Sequence, residues 1–279
     1  MPTLIVQPPT GPLVDSVEAI TFHEGHHFEH EREIFLPDGG IDLVIDLGAR
    51  AKKLYHSEQG RDHTTFSKGW ISGMRSSRYI IECGDGSAMI VVRFKPGKAR
   101  RFTGLPMCEL NDRVVPLVDL WGGAFNAVRD RIGEHWERHG ADGIIAAVCD
   151  ALMRIARPDH HEVWRVGLAL EAMNGTDGSQ RVAAISKKLG CSGKHLIDLF
   201  HREVGLGPKA YSNVVRFQAV VRRLESEPDP DWLDVAVQHG YYDHSHLANS
   251  FNLTAGMSPE RYLKAKGPFL NWIPVVELR

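Results

Sequence analysis

The chain has 279 residues, 43% hydrophobic and 24% charged, with a net charge of −2. That length accommodates two domains with a core each, and the composition is globular rather than disordered or fibrous. No stretch approaches the roughly 20 apolar residues of a bilayer span, and the opening Met1-Pro2-Thr3-Leu4-Ile5-Val6 lacks the basic start of a secretory signal.

Up to about Pro106 the apolar pattern has period two. His23, His26, His27 and His30 fall close together, with Glu24, Glu29 and Glu31 among them. Such a set can hold zinc or another transition metal, but the spacing lacks the usual histidine pair with a following glutamate, so a polar, solvated loop is expected. Ile41-Asp42-Leu43-Val44-Ile45-Asp46-Leu47 alternates apolar and acidic residues, as a strand with one buried face does. Arg78–Glu82 and Ala88–Phe94 flank Gly84-Asp85-Gly86, which reads as a hairpin connection, and Lys95-Pro96-Gly97 stops the second strand. Short strands with Gly- and Pro-rich turns predict a small barrel or sandwich over residues 1–118. Within it Trp70, Tyr79, Arg93, Phe94 and Trp121 can line a ligand pocket, although large aromatics at this spacing more often belong to a core.

From Asp119 the period becomes helical. Phe125, Val128, Ile132 and Trp136, then Ile144, Val148, Leu152 and Ile155, recur three or four apart. Residues 119–157 therefore read as a helical connector, suited to packing on the barrel or to pairing with a second chain. Arg157-Pro158-Asp159 breaks it, with Pro158 placed to open the next helix, and Asn174–Ser179 is a polar loop.

The most informative stretch follows. Val182, Ile185 and Leu189 share one helical face, Gly190 makes a turn, Ser192 is a candidate cap, and Leu196, Leu199, Phe200 and Val204 line a second helix before Gly205-x-Gly207-Pro208-x-x-Tyr211. About fifty residues on the plan repeats, with Gly240, Asp243 as cap, Leu247 and Phe251, and the exit Gly256-Met257-Ser258-Pro259-Glu260-Arg261-Tyr262. Helix, glycine turn, capped helix is the order of a helix-turn-helix, whose second helix enters the DNA major groove. Between the copies, Pro208–Glu225 carries a stripe of Tyr211, Val214, Phe217, Val221 and Leu224. Eighteen residues span roughly 27 Å, against about 34 Å for one DNA turn, a suitable strut for two readers.

Tandem units with both G-x-[SG]-P-x-x-Y exits resemble the AraC family of bacterial transcription regulators over about Val163–Lys266. Leu36-Pro37-Asp38-Gly39, Val92-Arg93-Phe94-Lys95-Pro96-Gly97, Leu110–Leu117 and Asp119-Leu120-Trp121-Gly122 are similar to the β-rich sensor-like domain that precedes the reader in one AraC-type subfamily. The resemblance implies an α+β chain: residues 1–118 as a sensor-like domain, 119–157 as the connector or dimerisation region, 158–267 as an all-α DNA reader, and 268–279 as a tail. By spacing and by resemblance, Lys194, Ile197 and Asp198 are the best candidates to reach base edges. Lys194 can donate to guanine, Ile197 can pack on a thymine methyl, and Asp198 can accept from cytosine. Many members carry a basic residue where this chain has Asp198, and an ion pair of Asp198 with Lys194 or Arg202 is the plainer reading.

Charge is divided sharply within the reader. Arg181–Arg223 holds nine basic and two acidic residues, a net of +7, whereas Leu224–Glu260 holds seven acidic residues and no Lys or Arg, a net of −7. Phosphate contacts supply most nonspecific affinity, so the first unit and the strut, with His201, Arg202, Lys209 and Arg216, are expected to anchor the complex. The second unit docks weakly through His244, Ser245 and Asn249, with Arg261 and Lys264 at its edge. His239, His244 and His246 can make that half pH-sensitive.

Enzymatic signatures are lacking: there is no G-x-S-x-G, P-loop or G-x-G-x-x-G after a strand. Cys83, Cys108, Cys149 and Cys191 are scattered, giving neither a disulfide framework nor a C-x-x-C zinc site, and fit a reducing compartment. The expectation is a cytoplasmic transcription regulator, not an enzyme, without a cofactor. Its expected partner is double-stranded promoter DNA, with RNA polymerase, a small-molecule effector and a second copy as further candidates. The contrasting reading is a metal-dependent small-barrel enzyme that uses the histidine cluster and a helical scaffold.

Overall fold

Alternating sequence in the first hundred residues becomes β1 (Thr3–Gln7), β2 (Val17–Glu24), β3 (Arg32–Phe35), β4 (Ile41–Asp46), β5 (Lys52–Tyr55), β6 (His63–Phe66), β7 (Gly69–Ser72), β8 (Tyr79–Glu82) and β9 (Met89–Phe94), with β10 (Val114–Pro116) following a short helix α1 (Arg100–Thr103). The structure is a computed structural model that describes residues 3–9, 11–48, 50–83 and 88–275, leaving out the side chains of 141 and 142. The strands form two antiparallel sheets, one ordered β1-β2-β9-β4-β7-β10 and the other β11-β3-β8-β5-β6, where β11 is Trp272–Pro274.

The expected hairpin is corrected by this topology. Its turn, 84–87, lies outside the described residues, but β8 pairs with β3 and β5 while β9 pairs with β2 and β4, so the two strands sit in different sheets. The alternation of β4 also means something other than one wet face. Ile41, Leu43 and Ile45 point to the helices, and Asp46, fully buried, points between the sheets near Val44, Phe66 and Trp70. Both faces of the first sheet are covered, so Asp46 is interior and Asp42 is half-buried.

Helices cover the outer face. α2 (Leu117–Trp121) leads into α3 (Ala124–Ile155), which bends at Gly140. Phe125, Ile132, Ile144, Val148 and Leu152 are buried against Ile20, Phe22, Leu43, Ile90, Val92 and Phe94. Each large apolar side chain so buried contributes about 1.5–3 kcal/mol, which explains why the connector's stripe lies on the barrel. Of the aromatic set, Phe94 and Trp121 join this helix side, and Phe94 stacks on Phe102. Trp70 lies between the sheets, where Arg93 reaches Asp42 at 3.5 Å and also holds Asp38.

The reader contains α4 (Val163–Asn174), α5 (Val182–Lys188), α6 (Gly193–Glu203), α7 (Pro208–Ser226), α8 (Trp232–Gln238), α9 (His244–Ala255) and α10 (Pro259–Ala265). Pro158 does not open α4, which begins five residues later at Val163. The expected tail is not loose throughout: β11 adds to β3, pairing Trp272 with Phe35 and Pro274 with Glu33, and Ile273 is buried.

Besides the small cluster between the sheets, two larger cores result, and each joins one sheet to one reader unit. The first runs from the outer face of the six-stranded sheet through α3 and α4 to Ile185, Leu196, Leu199, Phe200 and Val204. The second joins Ile34, Leu36 and Ile80 of the other sheet to Phe217, Val221, Leu224, Leu247, Phe251 and Ile273. α7 crosses both. Its Gln218, buried, donates to the Pro37 carbonyl (2.7 Å) and to Asn271 Oδ1 (2.8 Å), tying the strut to the barrel and to the segment before β11.

Candidate nucleic-acid interface

Local chemistry builds both units on one plan. Gly190 and Gly240 take left-handed backbone (φ 65° and 73°) between the two helices of each unit, a conformation in which a side chain crowds the following carbonyl. Ser192 Oγ accepts from His195 N (3.1 Å) and starts α6; Asp243 Oδ1 accepts from His246 N (2.7 Å) and starts α9. Ser258 Oγ then accepts from Arg261 N (3.2 Å) at the head of α10. Each cap satisfies an amide that the helix itself leaves unpaired.

On α6, Leu196, Leu199 and Phe200 are buried, which turns Lys194, Ile197, Asp198 and His201 outward; Ile197 keeps 42% of its surface. Among the described residues Asp198 makes no ion pair, so the plainer reading of it as a partner of Lys194 or Arg202 is not what the structure has. Ile197 and His201 border an open groove of about 540 Å3, with Arg181 and Lys209 on its rim and the first turn of α7 at its end. A helix N-terminus between two cations suits an anion such as a DNA phosphate.

Arg202 and Arg216 are placed differently. Arg202 bonds Glu203 Oε1 (3.0 Å) and donates to His160 Nδ1 (3.0 Å), while Arg216 donates to the Gly178 carbonyl (3.2 Å) near the Tyr241 ring. Both brace the domain from within. Glu203 is almost fully buried and also faces Arg100 at 3.4 Å, linking α6 to α1. Arg181, Lys187, Lys188, Lys194 and Lys209 remain exposed without a carboxylate partner among the described residues, and all belong to the first unit or the start of α7.

The second unit offers a different surface. Ser245 and Asn249 are exposed on α9. His244 stacks on Trp232 and meets Glu260 Oε1 at 3.1 Å, and Arg261 is held by Glu58 Oε2 at 2.8 Å. Several of its acids have internal duties: Asp231 and Asp243 cap helices, Glu225 takes Tyr262 and Lys266, and Asp234 and Glu227 take Arg223. Burial holds His239 below the ordinary histidine range. Sequence reasoning had no signal for Glu58, since its partners, Arg78 and Arg261, come from β8's approach and from α10.

Folding divides the clustered histidines: the rings of His23 and His26 stay together, 5.9 Å apart, while His30 turns to Glu33. His26 Nε2 lies 3.2 Å from the Thr3 carbonyl. His23, half-buried and near His26 and Lys52, has its pKa lowered to about 4, mainly by loss of solvent.

Residues 185–265 match the family described as a helix-turn-helix domain, and residues 6–116 match a domain of unknown function, DUF6597. The HTH-type transcriptional regulator Rv1931c of Mycobacterium tuberculosis is 30% identical over 88 residues, 32% of this chain and 34% of that protein. The chain thus matches about a third of that relative's length. Among solved structures, ToxT from Vibrio cholerae O395 is 11% identical with a TM-score of 0.43, covering 88% of this chain and 97% of that one. Unsaturated fatty acid bound ToxT from Vibrio cholerae strain SCE256 is 12% identical with a TM-score of 0.44, covering 89% and 95%. Fold and interface define a tandem helix-turn-helix protein with a β-rich domain ahead of the reader. Its C-terminal domain is a helix-turn-helix domain of the AraC family.

Proposed function

We propose that the chain regulates transcription by placing α6 and α9 in successive major-groove segments of a promoter, with the first unit as the anchor. The observation that carries this reading is the set of five exposed cations on the first unit and the start of α7, none with a carboxylate partner among the described residues; two of them, Arg181 and Lys209, line the same open groove as Ile197 and His201. Lys194, Ile197 and Asp198 then read base edges, and Arg181 and Lys209 hold phosphate. In the second unit Ser245 and Asn249 make the direct contacts, while His244 and Arg261 first leave their carboxylates. Among the described residues no helix is long and apolar enough to cross a membrane, and a promoter reader acts where the chromosome is, in the cytoplasm. No chemical step is assigned to the protein; RNA polymerase, a small-molecule effector and a second copy are the partners such a regulator would meet.

Titrating the full chain with promoter fragments from the neighbouring genes, across a range of salt, tests the reading. Log affinity should fall linearly with log salt, with a slope set by the phosphates contacted. A flat response, with no fragment preferred, overturns it.

A further inference from the structure

Three donors unrelated to the DNA reader converge on the second sheet. His30 lies between β2 and β3, Glu33 is in β3, and Cys83 directly follows β8. Cys83 N donates to the Glu31 carbonyl (2.9 Å), extending the β3–β8 ladder by one pair beyond Arg32 and Glu82. Glu33 is two residues from Glu31, so its side chain and that of Cys83 leave the same face as diagonal neighbours. An imidazole nitrogen, a carboxylate oxygen and the Sγ all lie within 4.8 Å of one another, and His30 Nε2 is 2.8 Å from Glu33 Oε1. Glu33 is only 7% exposed, and its neighbour Arg32 turns instead to the Glu58 and Gly60 carbonyls.

We propose that His30, Glu33 and Cys83 bind a single zinc ion. Magnesium and calcium take oxygen ligands, whereas thiolate, imidazole and carboxylate together favour zinc. Bonds of about 2.0–2.3 Å put tetrahedral ligands about 3.3–3.7 Å apart, so the His30–Glu33 contact opens slightly, and the thiol, within 4.8 Å of both, is in reach. Binding displaces the Cys83 thiol proton to solvent, and zinc offsets the charge of the buried carboxylate and new thiolate. With three protein ligands, a fourth position is left for water or a small ligand. The rival cluster of His160, His161 and Glu162 does not suit a cation, because Arg202 already donates to His160 and Arg165 flanks Glu162. On the opposite face of the same strands, Ile34 and Ile80 are buried in the core of the second reader unit. The ion therefore sits behind the seat of that unit.

Cobalt titration of the metal-stripped full chain tests the site. A thiolate-to-cobalt charge-transfer band should saturate at one ion per chain and bleach when zinc is added. Cys83→Ser should abolish the band and Cys149→Ser should retain it, while Glu33→Gln weakens cobalt binding by about tenfold or more, the loss that even outer-shell partners produce. The absence of a saturable band in the unaltered chain, or its persistence in Cys83→Ser, overturns the proposal. Should Cys83→Ser fail to fold, alkylation of the unaltered chain decides: zinc must protect Cys83, and equal labelling with and without it is fatal.

Discussion

Lys194 and Asn249 occupy exposed positions on the two recognition helices, yet their surroundings differ. Lys194 stands among unpaired cations, whereas Asn249 shares its helix with His244, which is already bound to Glu260. Lys194→Ala should cost about 1–3 kcal/mol of promoter binding, and Asn249→Ala distinctly less. Equal losses by fluorescence anisotropy would remove the asymmetry. Lys209→Ala should lower the salt slope by about one without changing which fragment is preferred. His23 sets a separate expectation. Its folded pKa near 4 lies below the unfolded value of 6.5, so the unfolded chain takes the proton first and stability falls as pH drops through that window, by up to about 3 kcal/mol. Chemical denaturation of His23→Gln at pH 7 and pH 5 should show a smaller difference than the parent. Outward positions such as Lys194 were legible because helical spacing fixes a face. The acids of β4 were not, because period two says that faces alternate and never what covers the second one.

At the scale of elements, caps and turns were the legible part. Ser192 and Asp243 act within three residues of their partners, so their signals are local. Ser192→Ala should lower stability by about 1 kcal/mol, measured by urea unfolding, through loss of the bond to His195 N. α7 was readable as a strut through Tyr211, Val214, Phe217, Val221 and Leu224, but the embrace of its remaining faces was not. Gln218 looks like an ordinary surface residue until Pro37 and Asn271 are brought to it across 181 and 53 residues. β11 was illegible for the same reason, being three residues long with its partner strand at the far end of the chain. Ile273→Ala should cost about 2–5 kcal/mol, a penalty foreign to a solvated tail; a change within experimental error would contradict the pairing.

For the whole molecule, the arrangement of two sheets under two reader units makes the barrel part of the reader's geometry. The six-stranded sheet shares its core with the first unit and the five-stranded sheet with the second, and α7 belongs to both. Glu58, between β5 and β6, holds Arg261 at the second unit's edge and also takes Arg78. Glu58→Gln should free Arg261 for phosphate, raising promoter affinity several-fold and adding about one to the salt slope. An unchanged slope would mean that Arg261 stays off the DNA. The strand that closes the second sheet has a further consequence for biosynthesis. A ribosome delivers β3 more than two hundred residues before β11, so throughout elongation one margin of the nascent sheet stands bare, with Ile34 deprived of Ile273. Bare strand margins recruit strangers. Fragments ending before residue 272 should therefore precipitate when expressed alone, and adding a peptide spanning β11 in trans should keep them in solution.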